Sequence, residues 1–109
     1  MTGLRDRTGA IAAGVSGALL ANAVPHTVKG MTRQRFPTPF ASPPGVGPSP
    51  PLHNVAWGVL NLAAGSVLAR GRSGSPANRI AAVGGGVAMA FYLAHYFGGL
   101  DLNDERAKR

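Results

Sequence analysis

The sequence contains no cysteine, few charged residues and very few acidic ones. The absence of cysteine excludes disulfide bonds, thiolate metal sites and cysteine nucleophiles. Only 14% of the 109 residues are charged, whereas about a quarter are charged in a typical soluble domain. A soluble domain of this composition would lack the polar residues that cover its surface.

Charged residues are absent altogether from three long apolar runs, each close to the ~20 residues that cross a bilayer as a helix. We therefore predict an all-α integral membrane protein, with a soluble bundle of buried helices as the alternative. The prediction is a single membrane domain over residues 1–109, with transmembrane helices at 9–28, 52–69 and 80–100, a long Pro-rich loop at 29–51 and a polar tail at 101–109.

The ends of the runs carry helix signals. Ser75-Pro76 predicts an N-cap followed by proline at the first helical position, and Ser49-Pro50 predicts the same arrangement before the second run. The first run also matches a signal peptide, with "ANA" at 21–23 as a cleavage pattern. Asn22 and Pro25 suit a helix that packs, so we expect the run to be retained.

The net charge of +7 comes from small basic groups at the edges of the apolar runs. These groups form no helical stripe and do not alternate with aromatic residues, which argues against nucleic-acid binding. Charges that flank apolar runs are typical of membrane insertion. The cluster Arg70, Arg72 and Arg79 favours a cytoplasmic N-terminus and an external Pro-rich loop in a bacterial inner membrane.

With three antiparallel helices, the histidines and nearly all aromatic residues lie toward the end that carries the Pro-rich loop. Seven of the nine prolines lie in residues 35–51, and such loops are stiff and extended. We expect this loop to be ordered over the helix ends or docked on a partner, with Phe36, Phe40 and Trp57 as its anchors.

The second run places Asn54, Gly58, Asn61 and Gly65 on one stripe, at spacings of four, three and four. Lipid-exposed amides are costly and small residues let helices approach closely, so this stripe should face protein. It serves either helix packing or a polar ligand or ion path.

The histidines raise the question of a metal or haem site. His26, His53 and His95 include no pair at helical spacing, so we predict no metal site and no cofactor, with haem or quinone as the minor alternative. His95 between Tyr92 and Tyr96 is the most site-like group. The sequence contains no nucleophile elbow, phosphate-binding loop or catalytic carboxylate pair, so we predict no enzyme.

The segments "VPHTVKG", "FPTPFASPPGVG" and "NVAWGVLNL" resemble those of small, uncharacterised bacterial multi-span membrane proteins with a Phe/Pro/Gly loop and an N-x-x-W-G helix. The resemblance covers residues 24–62. It implies a membrane location and no particular activity.

Together these features predict a non-catalytic accessory or assembly subunit of a larger bacterial membrane complex, with a respiratory complex as one candidate. The alternative is a small homo-oligomeric transporter or channel whose pore uses Asn54, Asn61 and Tyr92. A third hypothesis is a haem- or quinone-binding protein that uses His26 and His95.

Overall fold

Three long helices account for most of the chain. The computed structural model describes residues 2–100, apart from the side chain of Thr2, and the predicted tail at 101–109 lies outside these residues. The helices are α1 (Thr2–Met31), α2 (Pro51–Ala69) and α3 (Pro76–Gly98), and the described part of the chain has no strand. Each is long and apolar enough to cross a membrane. The all-α class with three such helices is confirmed.

The helix boundaries differ from the predicted spans mainly at the N-terminal ends. α1 begins at Thr2 rather than at residue 9, because a helix continues through charged residues such as Arg5 and Arg7 once they lie beyond the apolar run. α3 begins at Pro76, directly after the predicted cap. The Ser75 hydroxyl accepts a hydrogen bond from the backbone N–H of Asn78 at 3.3 Å, so this N-cap is confirmed.

The predicted cap at Ser49 is wrong. α2 begins one residue later, with Pro50 at the N-cap and Pro51 at the first helical position, and no side chain caps it. Ser49 is engaged elsewhere, because its backbone pairs with Phe36 and its hydroxyl bonds Thr38. Local propensity at Ser49 is overridden by these contacts within the loop.

The three helices are arranged around α1. α2 packs antiparallel to α1, and α3 packs parallel to α1 on a different side. Within residues 2–100, α2 and α3 bring no Cα atoms within 8 Å of each other. The short turn between them contains Gly71 with a φ of 73°, a left-handed conformation that glycine adopts without strain. A gap between α2 and α3 therefore runs along α1.

Glycine permits the contact between α1 and α3. A Cβ added to Gly17 would overlap the carbonyl oxygen of Ala82, and one added to Gly85 would overlap the carbonyl oxygen of Gly14. The two backbones therefore touch directly, as in membrane helix pairs that associate through small residues. The small residues Gly14 and Gly17 of the first run thus pack against α3 of the same chain.

Polar side chains lie inside the described molecule and large apolar side chains lie outside. The buried apolar side chains are those of three alanines, Phe36 and Pro37, whereas six polar residues are buried. Eighteen large hydrophobic residues are exposed, among them Leu52 at 80% and Phe91 at 75%. A soluble bundle has the opposite distribution.

The adjacent residues Gly84 and Gly85 provide a matched test of the α1–α3 contact. The substitution Gly85→Ala forces a methyl group against the backbone of Gly14, and we expect it to lower the free energy of unfolding by about 1–3 kcal/mol. An added Cβ at Gly84 meets nothing within 4 Å, so Gly84→Ala should leave stability nearly unchanged. Titration with SDS in mixed micelles measures the free energy of unfolding of both variants. Equal losses in the two variants would contradict the contact.

Candidate functional site

The Pro-rich loop is folded back on itself. Phe36 and Ser49 form an antiparallel bridge, with N–H···O distances of 3.3 and 3.1 Å. Between them the backbone N–H of Gly45 donates to the carbonyl of Thr38 at 2.8 Å, and that of Gly47 donates to Pro43 at 2.9 Å. Gly45 has a φ of 70°, which explains a glycine at this turn. The loop is an ordered structure in its own right.

Asn54 joins this loop to two helices. Its side-chain N–H₂ donates to the carbonyl of Phe36 at 2.8 Å and lies near two further carbonyls, those of Ser49 at 3.2 Å and Pro50 at 3.3 Å. Its Oδ1 lies 2.9 Å from Nδ1 of His26 on α1. Asn54 is fully buried. One amide thus satisfies groups from α1, α2 and the loop.

A second side-chain hydrogen bond between α1 and α2 lies about two turns further along α2. The side-chain N–H₂ of Asn61 donates to the carbonyl of Trp57 at 2.8 Å, and that of Asn22 donates to Oδ1 of Asn61 at 3.0 Å. Beyond it, the hydroxyl of Ser16 donates to the carbonyl of Gly65 at 2.9 Å. The α1–α2 interface is therefore held by polar contacts along its length.

Aromatic rings complete the loop end, which we define as the end of the bundle that carries residues 32–50. The buried ring of Phe36 packs against His26 and Phe97, with centroids 5.4 and 4.3 Å away. Phe40 is half exposed and packs against His53 and Trp57, each 5.8 Å away. The two phenylalanines thus differ, because Phe36 is an internal anchor and Phe40 remains at the surface.

α3 holds the loop through a tyrosine. The hydroxyl of Tyr96 donates to the carbonyl of Gly45 at 2.6 Å. Its ring packs on Phe97 at 5.2 Å and stacks on Tyr92 at 6.1 Å. The loop is therefore fixed to all three helices.

A cavity of about 330 Å³ lies at the loop end, where α2 and α3 are apart. α1 contributes Asn22 and His26, α2 contributes Trp57, and the loop and α3 form the remaining walls. The lining residues of the loop and α3 are Pro37, Thr38, Pro39, Pro44, Gly45, Tyr92, Leu93, Tyr96 and Phe97. None of the lining residues is charged. This cavity is the candidate functional site.

The structure gathers some of the predicted site residues here and separates others. The stripe predicted on α2 consists of its four buried residues, Asn54, Gly58, Asn61 and Gly65, and an added Cβ at Gly58 would overlap the Thr27 hydroxyl of α1.

The three histidines occupy different environments. His26 is 3% exposed, whereas His53 and His95 are exposed and do not line the cavity. Among residues 2–100, no three histidine or acidic side chains form a group that could hold a metal. Of the group predicted around His95, only Tyr92 and Tyr96 line the cavity.

Two features of the site escaped the sequence prediction. They are the hydrogen bond between Asn22 and Asn61, which lie 39 positions apart, and that between His26 and Asn54, which lie 28 positions apart. The signal that could have found them is the match between polar residues at the loop end of the first run and those on the α2 stripe, read in antiparallel register.

Comparison of the chain with protein-family models, with curated proteins and with solved structures finds no match. The resemblance of residues 24–62 to small bacterial membrane proteins stays a prediction.

Replacing Asn54 tests its role in holding the loop. Asn54→Leu removes the donor to the loop carbonyls and the acceptor for His26, at about 1–3 kcal/mol for a buried group left unpaired. We expect faster hydrogen exchange at the backbone N–H groups of Gly45 and Ser49, measured by mass spectrometry. Leu52→Ala, at an exposed position, is the control and should exchange as the native chain does.

Tyr96 and Tyr92 form a matched pair for the clamp between α3 and the loop. Tyr96→Phe removes only the hydrogen bond to Gly45 and should cost about 0.5–1.5 kcal/mol. The Tyr92 hydroxyl makes no hydrogen bond within residues 2–100, so Tyr92→Phe should be neutral. Unfolding in SDS measures both, and a larger loss from Tyr92→Phe would refute the assignment.

Proposed function

We propose that the chain is inserted in a bacterial inner membrane through α1, α2 and α3 and serves there as a non-catalytic accessory or assembly subunit of a larger membrane complex. The observation that carries the proposal is an uncovered apolar groove between α1 and α3.

Insertion is supported by where polar groups lie. The buried side chains of Ser16, Asn54 and Asn61 all have hydrogen-bond partners, and no buried side-chain nitrogen or oxygen in the described chain lacks one. The outer surfaces carry large apolar side chains instead. A bilayer favours this distribution, because lipid offers no hydrogen-bond partner to a polar group.

The arginines support the proposed orientation. Opposite the loop end, the first turns of α1, the α2–α3 turn and the start of α3 bring together five arginines, with Asp6 as the single acidic residue of the described range. Membrane proteins concentrate short-loop Arg and Lys on the cytoplasmic side. This supports a cytoplasmic N-terminus and an external Pro-rich loop.

The uncovered face is on α3. No residue of α3 is buried, and between α1 and α3 lies an apolar groove of about 440 Å³ lined by residues that include Gly14, Gly85, Ala88 and Met89. Gly84, one turn from Ala88 on the same helix, has open space around it. Small residues beside a groove let a further helix approach closely, so this face suits a partner subunit.

The geometry favours a subunit over a channel and over a haem protein with two histidine ligands. In a channel, Asn54 and Asn61 would line the path, but both are buried against α1. Asn54 bonds His26 and the loop, and Asn61 bonds Asn22. A haem held by two histidines of one chain would need His26 and His95 together, and His95 is exposed outside the cavity.

Native co-purification from mild detergent tests the proposal. We expect tagged protein to retain larger membrane proteins at fixed stoichiometry, identified by mass spectrometry. Gly84→Leu should abolish their retention without unfolding the chain, because its side chain enters open space on the uncovered face. Phe40→Ser should weaken it if the exposed side of the loop also contacts the partner.

Ala63→Leu is the matched control, since Ala63 is exposed on α2, away from the α1–α3 groove. It should leave retention unchanged. A single homo-oligomer without larger proteins would overturn the subunit proposal, and equal losses from Gly84→Leu and Ala63→Leu would overturn the assignment of the face.

A further inference from the structure

The hydrogen bonds around Asn54 determine the state of His26. Carbonyl oxygens only accept hydrogen bonds, so the Asn54 atom near the carbonyls of Phe36, Ser49 and Pro50 is the N–H₂ donor. The other atom, Oδ1, can only accept, and its partner Nδ1 of His26 must carry the hydrogen. In neutral His26, Nε2 is therefore an acceptor.

Nε2 of His26 has no partner in the described chain. Every fully buried side-chain nitrogen or oxygen in residues 2–100 has a hydrogen-bond partner. Nε2, which has none, is therefore not fully buried. His26 is otherwise 3% exposed and lines the cavity at the loop end. The cavity is therefore the open space beside the His26 side chain.

A second acceptor lies one helical turn away, on Asn22. The Asn61 N–H₂ donates to the carbonyl of Trp57, so its Oδ1 accepts from the N–H₂ of Asn22. Oδ1 of Asn22 then remains without a partner within residues 2–100, and Asn22 also lines the cavity. Two acceptors at positions i and i+4 of α1 thus share one helix face.

The rest of the cavity defines the class of ligand. Its lining includes Trp57, Tyr92, Tyr96 and Phe97 and no charged residue, so it suits a neutral, flat ring. Its volume of about 330 Å³ is at the lower end of the roughly 300–1,000 Å³ of small-molecule sites. Because His26 and Asn22 each offer an acceptor, a matching ligand carries hydrogen-bond donors.

We infer that this cavity binds a neutral hydroxyaromatic head group of the hydroquinone class, with its hydroxyl groups donating to Nε2 of His26 and Oδ1 of Asn22. The inference depends on the loop end alone and stands whether or not the chain is a subunit of a larger complex.

Nitrogen-15 NMR of histidine-labelled protein in detergent tests the site at its central atom. Under argon, tetramethylhydroquinone should bind saturably and move the Nε2 resonance of His26 upfield, with His53 and His95 unchanged as internal references. The dimethyl ether of the same ring lacks donors and should bind at least about tenfold more weakly. Cyclohexane-1,4-diol keeps the donors without the aromatic ring and should also bind more weakly.

A variant pair locates binding without disturbing the hydrogen bonds. Leu93→Phe adds bulk to the cavity wall and should abolish the His26 response, whereas Leu62→Phe, on the outer face of α2, should respond as the native chain does. The inference is overturned if hydroquinone and ether act equally, if Leu93→Phe responds normally, or if no ligand moves the His26 signal, in which case water alone occupies the cavity.

Discussion

The side-chain amide of Asn54 joins the carbonyl of Phe36 in the Pro-rich loop to the imidazole of His26 on α1. It is fully buried, so none of its bonds competes with water. Three properties follow from it. The loop is held against the helices, the hydrogen of His26 is held on Nδ1, and Nε2 is left as an acceptor on a residue that lines the cavity.

A second constraint is the space left by absent side chains. Gly17 and Gly85 let α1 and α3 meet at their backbones, and Gly58 lets α2 approach Thr27 of α1 closely. With both neighbours drawn onto α1, α2 and α3 remain apart, and the gap becomes the cavity once the loop covers its end. The glycines that let α2 and α3 pack closely on α1 thus also leave the cavity between α2 and α3.

Part of this arrangement could be read from the sequence because it depends on periodicity. The absence of charge from three runs located the helices, and the spacing of Asn54, Gly58, Asn61 and Gly65 placed them on one face, which is the buried face of α2. The cap at Ser75 is a local interaction and was equally readable. Ser49 misled the same reasoning because its partners, Phe36 and Thr38, lie more than ten residues away.

The sequence by itself determined the helix count, the concentration of aromatic residues at the loop end and the faces made of small and amide residues, since composition and helical spacing act over short distances along the chain. Only the tertiary structure decided the hydrogen-bond partners. Asn54 with His26, Asn22 with Asn61 and Tyr96 with Gly45 are 28 to 51 positions apart. The direction of each bond depends on which carbonyls the folded loop and helices bring within reach, and that direction leaves two acceptors at the cavity.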